Sequence, residues 1–220
     1  MPYASIREYK KPTDGQICEA LAPFGIMPTG EASEKIRGFI EILLQWNEKM
    51  SLTAITGVQE ILARHFGESM FAARAVPVEK GRLADVGSGA GFPGLALKVI
   101  RPELKVALIE SNGKKAAFLT EVARRLEMSG TEILRCRFKE CSIEEHSLDV
   151  VTSRAVVSGS SLLRWAKGKL NDGGRLVLWT GRAGVERICS DRNLVWEEPI
   201  SIPLSRSRVL LVGREREIQT

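Results

Sequence analysis

The chain has no apolar run approaching the roughly 18 residues that cross a bilayer, and its first ten residues, Met-Pro-Tyr-Ala-Ser-Ile-Arg-Glu-Tyr-Lys, hold no apolar signal core. No membrane partner and a cytoplasmic location are the expectations that follow. Histidine is scarce, with only His65 and His146, and the four cysteines (18, 136, 141, 189) form no C-x-x-C pair. Cys136, Cys141 and His146 lie near one another but lack the ligand rhythm of a zinc site. No metal is therefore expected, and the cysteines are expected to be reduced. There is no internal repeat and no low-complexity segment. Hydrophobic residues at 44% and charged residues at 27% are ordinary globular values, and 220 residues are enough for a large core. Net charge is +5. That excess fits a polyanionic partner, and ordinary solubility charge accounts for it equally well.

What is abundant is glycine at one place. Arg82-Leu-Ala-Asp-Val-Gly-Ser-Gly-Ala-Gly-Phe-Pro-Gly94 runs from a β-prone stretch through glycines 87, 89, 91 and 94 into a helical pattern beginning at Leu95. Strand, glycine turn and helix in that order bring backbone N–H groups close to a ligand at a helix N-terminus. Nineteen residues beyond Gly91, the run Leu104 to Ile109 ends in Glu110, placed to accept hydrogen bonds from ribose hydroxyls. Gly89-Ala-Gly91-Phe-Pro-Gly94 fits the dinucleotide fingerprint. Asp85-Val-Gly87-Ser-Gly89-Ala-Gly91 is similar to the first motif of S-adenosylmethionine methyltransferases.

Before residue 82 the pattern is helical: 14–24 with Ile17, Ala20, Leu21 and Phe24 on one stripe, then 31–50, then 57–75. This predicts a helical cap over residues 1–80, with Pro77 to Gly81 as connector, and a catalytic domain over 81–220. Beyond it, strands at 82–87, 105–110, 131–137, 148–153, 174–180, about 193–200 and about 207–214 alternate with helices at 94–100, 113–128, 158–170 and 182–189. Alternation predicts an α/β fold: a Rossmann-like, mostly parallel seven-stranded sheet. The last two strands have no room for a helix between them and should pair antiparallel. A Gly-Gly turn at 173–174 precedes the fifth strand, as in many methyltransferases. The fourth strand ends in Ser153 and Arg154, at the edge where open α/β sheets bind ligands.

Taken together these residues resemble the bacterial small-subunit rRNA methyltransferase G family, also called glucose-inhibited division protein B. The resemblance rests on Trp46-Asn47, Leu52-Thr53-Ala54-Ile55, Arg64-His65, Ser69, Asp85 through Gly94, Arg101-Pro102, Glu110-Ser111, Gly113-Lys114-Lys115, Phe118-Leu119 and Ser153-Arg154-Ala155. It implies S-adenosyl-L-methionine as cofactor and methyl transfer to N7 of one guanine in 16S rRNA near the decoding site. The substrate would be 16S rRNA or the small ribosomal subunit, with no protein partner required, the protein acting as a monomer.

The resemblance also implies residue roles. Gly87 and Phe92 would line the cofactor beside Asp85, Gly89 and Gly91, and Glu110 with Ser111 would hold the ribose. Phe138 and Lys139 would flank the adenine. Arg154 would sit near the methionine end or the target base, and His65, Ser69, Asn47 and Arg208 would face the RNA or the reacting guanine. The plainer readings are that Asn47 and Ser69 brace helices and that His65 is a packed histidine. Lys114, Lys115, Arg206 and Arg208 suit phosphate contact. Trp165 and Trp179 read as core or helix-packing residues. The chain departs from the family at Ser51, Glu68, Lys139 and Thr180.

The chemistry asks for few groups. Guanine N7 already offers an in-plane lone pair, so no base is needed, and the Asn/Asp-Pro-Pro-Tyr that orients exocyclic amines is absent after strand four. In-line alignment in a water-poor pocket can supply about 7–11 kcal/mol. Two other readings use the same residues: an NAD-dependent oxidoreductase, for which no Tyr-x-x-x-Lys is present, and a noncatalytic RNA-binding assembly factor.

Overall fold

The computed structural model describes residues 9–76, 79–154, 160–192 and 194–215. Pro77 of the expected connector, Ala155 of the quoted motif, the first two residues of the expected 158–170 helix and the start of the expected 193–200 strand lie outside them.

The N-terminal part is helical, as the 3.6-residue stripes require. Helix α1 (Asp14–Leu21) starts at Thr13, whose hydroxyl accepts from Gln16 N while the Gln16 side chain accepts from Thr13 N. This reciprocal cap satisfies two of the N–H groups that a helix start leaves unpaired. Helix α2 (Gly30–Asn47) is capped one way only, by the Thr29 hydroxyl accepting from Ala32 N. The third helical run, α3, is made of Val58–Glu60, Ile61–Gly67, Glu68–Met70 and Ala72–Ala75, and its Ile61–Gly67 part is wound as a π-helix. Gly67 permits the tight approach there, because a Cβ at that position would stand 2.4 Å from the Phe24 ring.

The sheet follows. Its strands are β1 (Gly81–Val86), β2 (Leu104–Ile109), β3 (Thr131–Leu134), β4 (Leu148–Arg154), β5 (Leu170–Gly181), β6 (Val195–Trp196), β7 (Ile200–Ser201) and β8 (Arg208–Arg214). Helices α4 (Gly94–Ile100), α5 (Gly113–Arg125), α6 (Ser160–Lys169) and α7 (Arg182–Cys189) connect them. The order is β3-β2-β1-β4-β5-β8-β6, with β7 also on β8. Strands β1 to β5 are mutually parallel, and β8 is antiparallel to β5, β6 and β7. The expected terminal antiparallel pairing is present, but the sixth strand is two short pieces, giving eight strands among the described residues rather than seven. Pro199 lies between the pieces and has no N–H to give the ladder.

Side chains alternate across the sheet as a period of two demands. Leu83, Val150, Val177 and Leu210 join a core shared with Ile36, Phe39, Phe66, Leu95 and Phe118. Their neighbours Ala84, Val151, Leu176 and Leu211 face a second cluster with Leu162, Leu163 and Ile188. The helical cap therefore packs on one face of the sheet through the same core that buries α4. Buried Lys98 closes the bottom of α4, donating to the carbonyls of Pro102, at 2.6 Å, and Leu104.

The cysteine expectation is half overturned. Cys136 and Cys141 form a disulfide across the turn that follows β3, their Cα atoms 5.9 Å apart, while Cys18 and Cys189 are free. The short 3-10 turn Phe138–Glu140 folds the chain back far enough to bring the two together.

Candidate active site

The glycine loop sits at the carboxyl end of β1, the central strand of the parallel set. Gly87, Gly89 and Gly91 have φ of +74°, +55° and +83°, a region that side chains with a Cβ rarely enter. Gly87 N and Ser88 N both donate to Ile109 O, and the Ser88 hydroxyl donates to Asp85 O, so the loop is tied to the end of β2 and to its own strand. A Cβ on Gly89 would meet only Gly87 O, at 3.8 Å, so the space above the loop is open to a ligand.

Glu110 ends β2 beside this opening. One carboxylate oxygen accepts from Gly89 N at 3.0 Å and the other from Asn112 N at 2.8 Å. A carboxylate has about four acceptor positions, so two remain after those bonds, which fits a ribose diol. Ser111 is exposed next to it, and Asn112 accepts from Lys114 N and Lys115 N to start α5. Lys114 is exposed and Lys115 half-buried on that first turn. Phe138 packs edge-on against Trp165 at 5.7 Å, and exposed Lys139 lies 6.0 Å from the Phe138 ring centre.

Two residues expected to touch the cofactor are instead behind the loop. Asp85 is wholly buried. Its carboxylate accepts from Gly94 N at 3.1 Å and from the Thr152 hydroxyl at 2.9 Å, bracing helix start against neighbouring strand. Burial raises its pKa to about 6, against the smaller pull of those hydrogen bonds. Phe92 is 6% exposed and has both faces covered, Phe39 stacking at 5.0 Å on one and His65 at 4.7 Å on the other. Neither presents a surface to a ligand.

His65 and Asn47 form one chain of contacts with that stack. Asn47 is buried and accepts from Leu52 N and Thr53 N while donating to Thr53 O, a brace rather than a residue facing outward. The braced Thr53 hydroxyl stands 2.8 Å from His65 Nε2. Burial, then the charges of Arg154 and Arg64, lowers the His65 pKa to about 3, so the ring is neutral at physiological pH.

The remaining expected residues meet at Glu68, whose role sequence reasoning missed. Glu68 is 2% exposed, and its carboxylate takes Arg154 Nη2 at 3.1 Å and Arg208 Nη2 at 2.5 Å. Arg154 also donates to Arg64 O at 2.8 Å and to the oxygen of wholly buried Ser69 at 3.3 Å. Burial pushes Glu68 up, while Arg154, Arg208 and Arg64 pull it back. The available signal was a lone acid between Gly67 and Met70 on an apolar helix face, where only a paired charge is stable. Arg206 is exposed on the turn before β8, apart from this cluster. Trp179 is core, its indole N–H on Glu68 O at 2.9 Å.

This arrangement can seat a nucleoside on the Glu110 side of the loop and an electron-rich group beside Arg154. The family model described as rRNA small subunit methyltransferase G matches residues 32–198. The chain belongs to this family. Among relatives of that name, the protein of Syntrophotalea carbinolica is 35% identical over 211 residues, covering 90% of this chain and 96% of its own. That of Halorhodospira halophila is 39% identical over 150 residues, covering 68% and 70%. Among solved structures, geranyl diphosphate C-methyltransferase from Streptomyces coelicolor A3(2), in complex with S-adenosyl-L-homocysteine, aligns with a TM-score of 0.60 at 13% identity, over 84% of this chain and 98% of its own. That likeness is one of fold. Membership in the methyltransferase G family sets aside the oxidoreductase reading of the glycine loop.

Proposed function

We propose that this member of the methyltransferase G family transfers a methyl group from S-adenosyl-L-methionine to N7 of a guanine in the small-subunit rRNA. Family membership supports rRNA methylation, and the observation that carries the choice of N7 is that, among the described residues, neither acid–base group beside Arg154 is free to act: Glu68 is paired with Arg154 and Arg208, and His65 Nε2 lies on Thr53. When bound, the cofactor supplies an electrophilic sulfonium methyl. Glu110 has two acceptor positions left for the ribose, and the glycines leave room above Gly89. The nearby histidine has a pKa of about 3 and its Nε2 lies on Thr53, so it takes up no proton near neutrality. An exocyclic amine must lose a proton in the course of methylation, whereas N7 need not.

The chain's own work is then positioning and exclusion of water. Arg154 has five N–H donors, of which three are taken by Glu68, Ser69 and Arg64 O. The two left, on Nε and Nη1, lie on different edges of the guanidinium, so one of them can give a single hydrogen bond to guanine O6 or N7. Lys114, Lys115, Arg206 and Arg208 serve the phosphates. The test is in vitro methylation of 16S rRNA and of assembled small subunits with labelled cofactor, followed by borohydride and aniline cleavage at 7-methylguanosine. Labelling at one cleavable guanine is the expected result; label that resists cleavage, or none on either substrate, would overturn the assignment.

A further inference from the structure

Glu68, through its side chain and its carbonyl, ties four elements together near the loop. From α3 it reaches Arg154 at the end of β4 and Arg208 at the start of β8, and its own carbonyl accepts from Trp179 near the end of β5. The two guanidiniums are like charges brought to opposite oxygens of one carboxylate, and Arg64 adds a third positive charge close by. Without the carboxylate, Arg154 and Arg208 repel across a half-buried space, and among the described residues Ser69 Oγ and Arg64 O are the acceptors left to Arg154.

We infer that Glu68 is a positioning residue for methyl transfer: it holds the Arg154 guanidinium so that an unused donor faces the target guanine. This rests on the guanine reading above. Arg154 leans on two neutral acceptors and one charged one, and the charged contact is the strong one. The geometry is demanding, because alignment of base and methyl within a few tenths of an ångström is the chief contribution available to a site whose nearby acid–base groups are paired. A guanidinium displaced by an ångström would still attract RNA, yet would no longer orient the ring. Glu68 therefore acts on turnover rather than on cofactor binding, whose seat at Glu110 and Gly89 lies on other elements.

The experiment compares wild type, Glu68→Gln and Glu68→Asp on 16S rRNA, with cofactor Kd measured by calorimetry and folding by circular dichroism. Gln keeps the shape and removes the charge; Asp keeps the charge at shorter reach. The expected result is a kcat 10- to 100-fold lower for Glu68→Gln, cofactor Kd within threefold of wild type, and recovery of kcat to within about tenfold for Glu68→Asp. An unchanged kcat in Glu68→Gln, or a fall in cofactor affinity matching the fall in kcat, would overturn the inference. Should Glu68→Gln melt below the assay temperature, the comparison with wild type is run at a temperature where circular dichroism shows both folded, and the same two outcomes support or overturn the inference. Absence of guanine methylation by wild type defeats the functional reading itself, which keeps the two failures distinct.

Discussion

Asp85 opens the glycine run, and its burial makes it a destabilising anion at neutral pH. Its folded-state pKa of about 6 lies above the ordinary value of 3.8. The folded protein therefore holds a proton that the unfolded chain releases between about pH 4 and 6. Stability from that proton is fully present below about pH 4 and is lost as pH rises through about 6. Two pKa units at about 1.4 kcal/mol each set an upper bound of about 3 kcal/mol.

Asp85→Asn removes the charge and keeps the shape. The amide oxygen accepts from Gly94 N, the NH2 donates to Thr152 Oγ1, and that hydroxyl turns to Ala84 O, 3.5 Å away. The variant should be more stable than wild type at pH 7.5 by about 1–3 kcal/mol, a Tm gain of roughly 2–10 °C for a chain of this size. The gap should narrow steadily as pH falls from about 6 toward 4. Glu68, also raised by burial, shifts stability in the same direction. His65 acts oppositely: the unfolded ring gains a proton below its ordinary value of 6.5 while the folded ring waits until about 3, so stability falls as pH falls. Differences between variant and wild type at each pH cancel both. Thermal melting of cofactor-free protein from pH 4.5 to 7.5 measures this, and a variant less stable by a constant amount across the range would refute the reasoning.

Glu110→Gln replaces two acceptor oxygens by one oxygen and one NH2, so either Gly89 N–H or Asn112 N–H faces a donor. Loss of about 1.5–3 kcal/mol from one charged hydrogen bond should appear as a Tm several degrees lower and a cofactor Kd raised at least tenfold; wild-type binding by calorimetry would contradict the ribose role. In Gly94→Ala the new Cβ would stand 2.6 Å from Leu108 and 2.9 Å from the Asp85 carboxylate, costing about 1–3 kcal/mol of overpacking, and an unchanged melting curve would show that helix and strand can part without strain. Alkylation of the denatured, unreduced protein should label two cysteines, and reduction should raise that to all four. Cys141→Ser should cost about 2 kcal/mol, the value for a loop this short in the chain-entropy account, and four labelled thiols before reduction would exclude the bridge.

Local features of the fold were legible because each is written within a few residues. The glycine turn, the acid ending β2 and the strand–helix alternation follow from spacing alone, and their order carried the family resemblance. The break between β6 and β7 was legible in principle, since Pro199 stands inside the expected strand. Other features depend on residues far apart. Glu68 and Arg208 meet across 140 positions, and neither has a pattern that names the other. Asp85 reads as a ligand-facing acid because of its place before the glycines, and only the packing of Gly94 and Thr152 around it shows that it faces inward. Asn47 follows the plainer reading: its amide is used up on the turn at residues 52 and 53.

The two sides of the glycine loop are held by different parts of the chain. From below, Asp85 and Ser88 tie it to β1, β4 and the start of α4. On the side of the helical cap, Phe92 is pressed between Phe39 of α2 and His65 of α3. A charged imidazolium in that stack would be desolvated and near two guanidiniums, so the same packing that shapes the loop keeps His65 neutral. Glu68 lies one helical turn further along α3 and holds Arg154. Any movement of α3 would therefore shift Phe92 of the glycine loop and Arg154 at the end of β4 together.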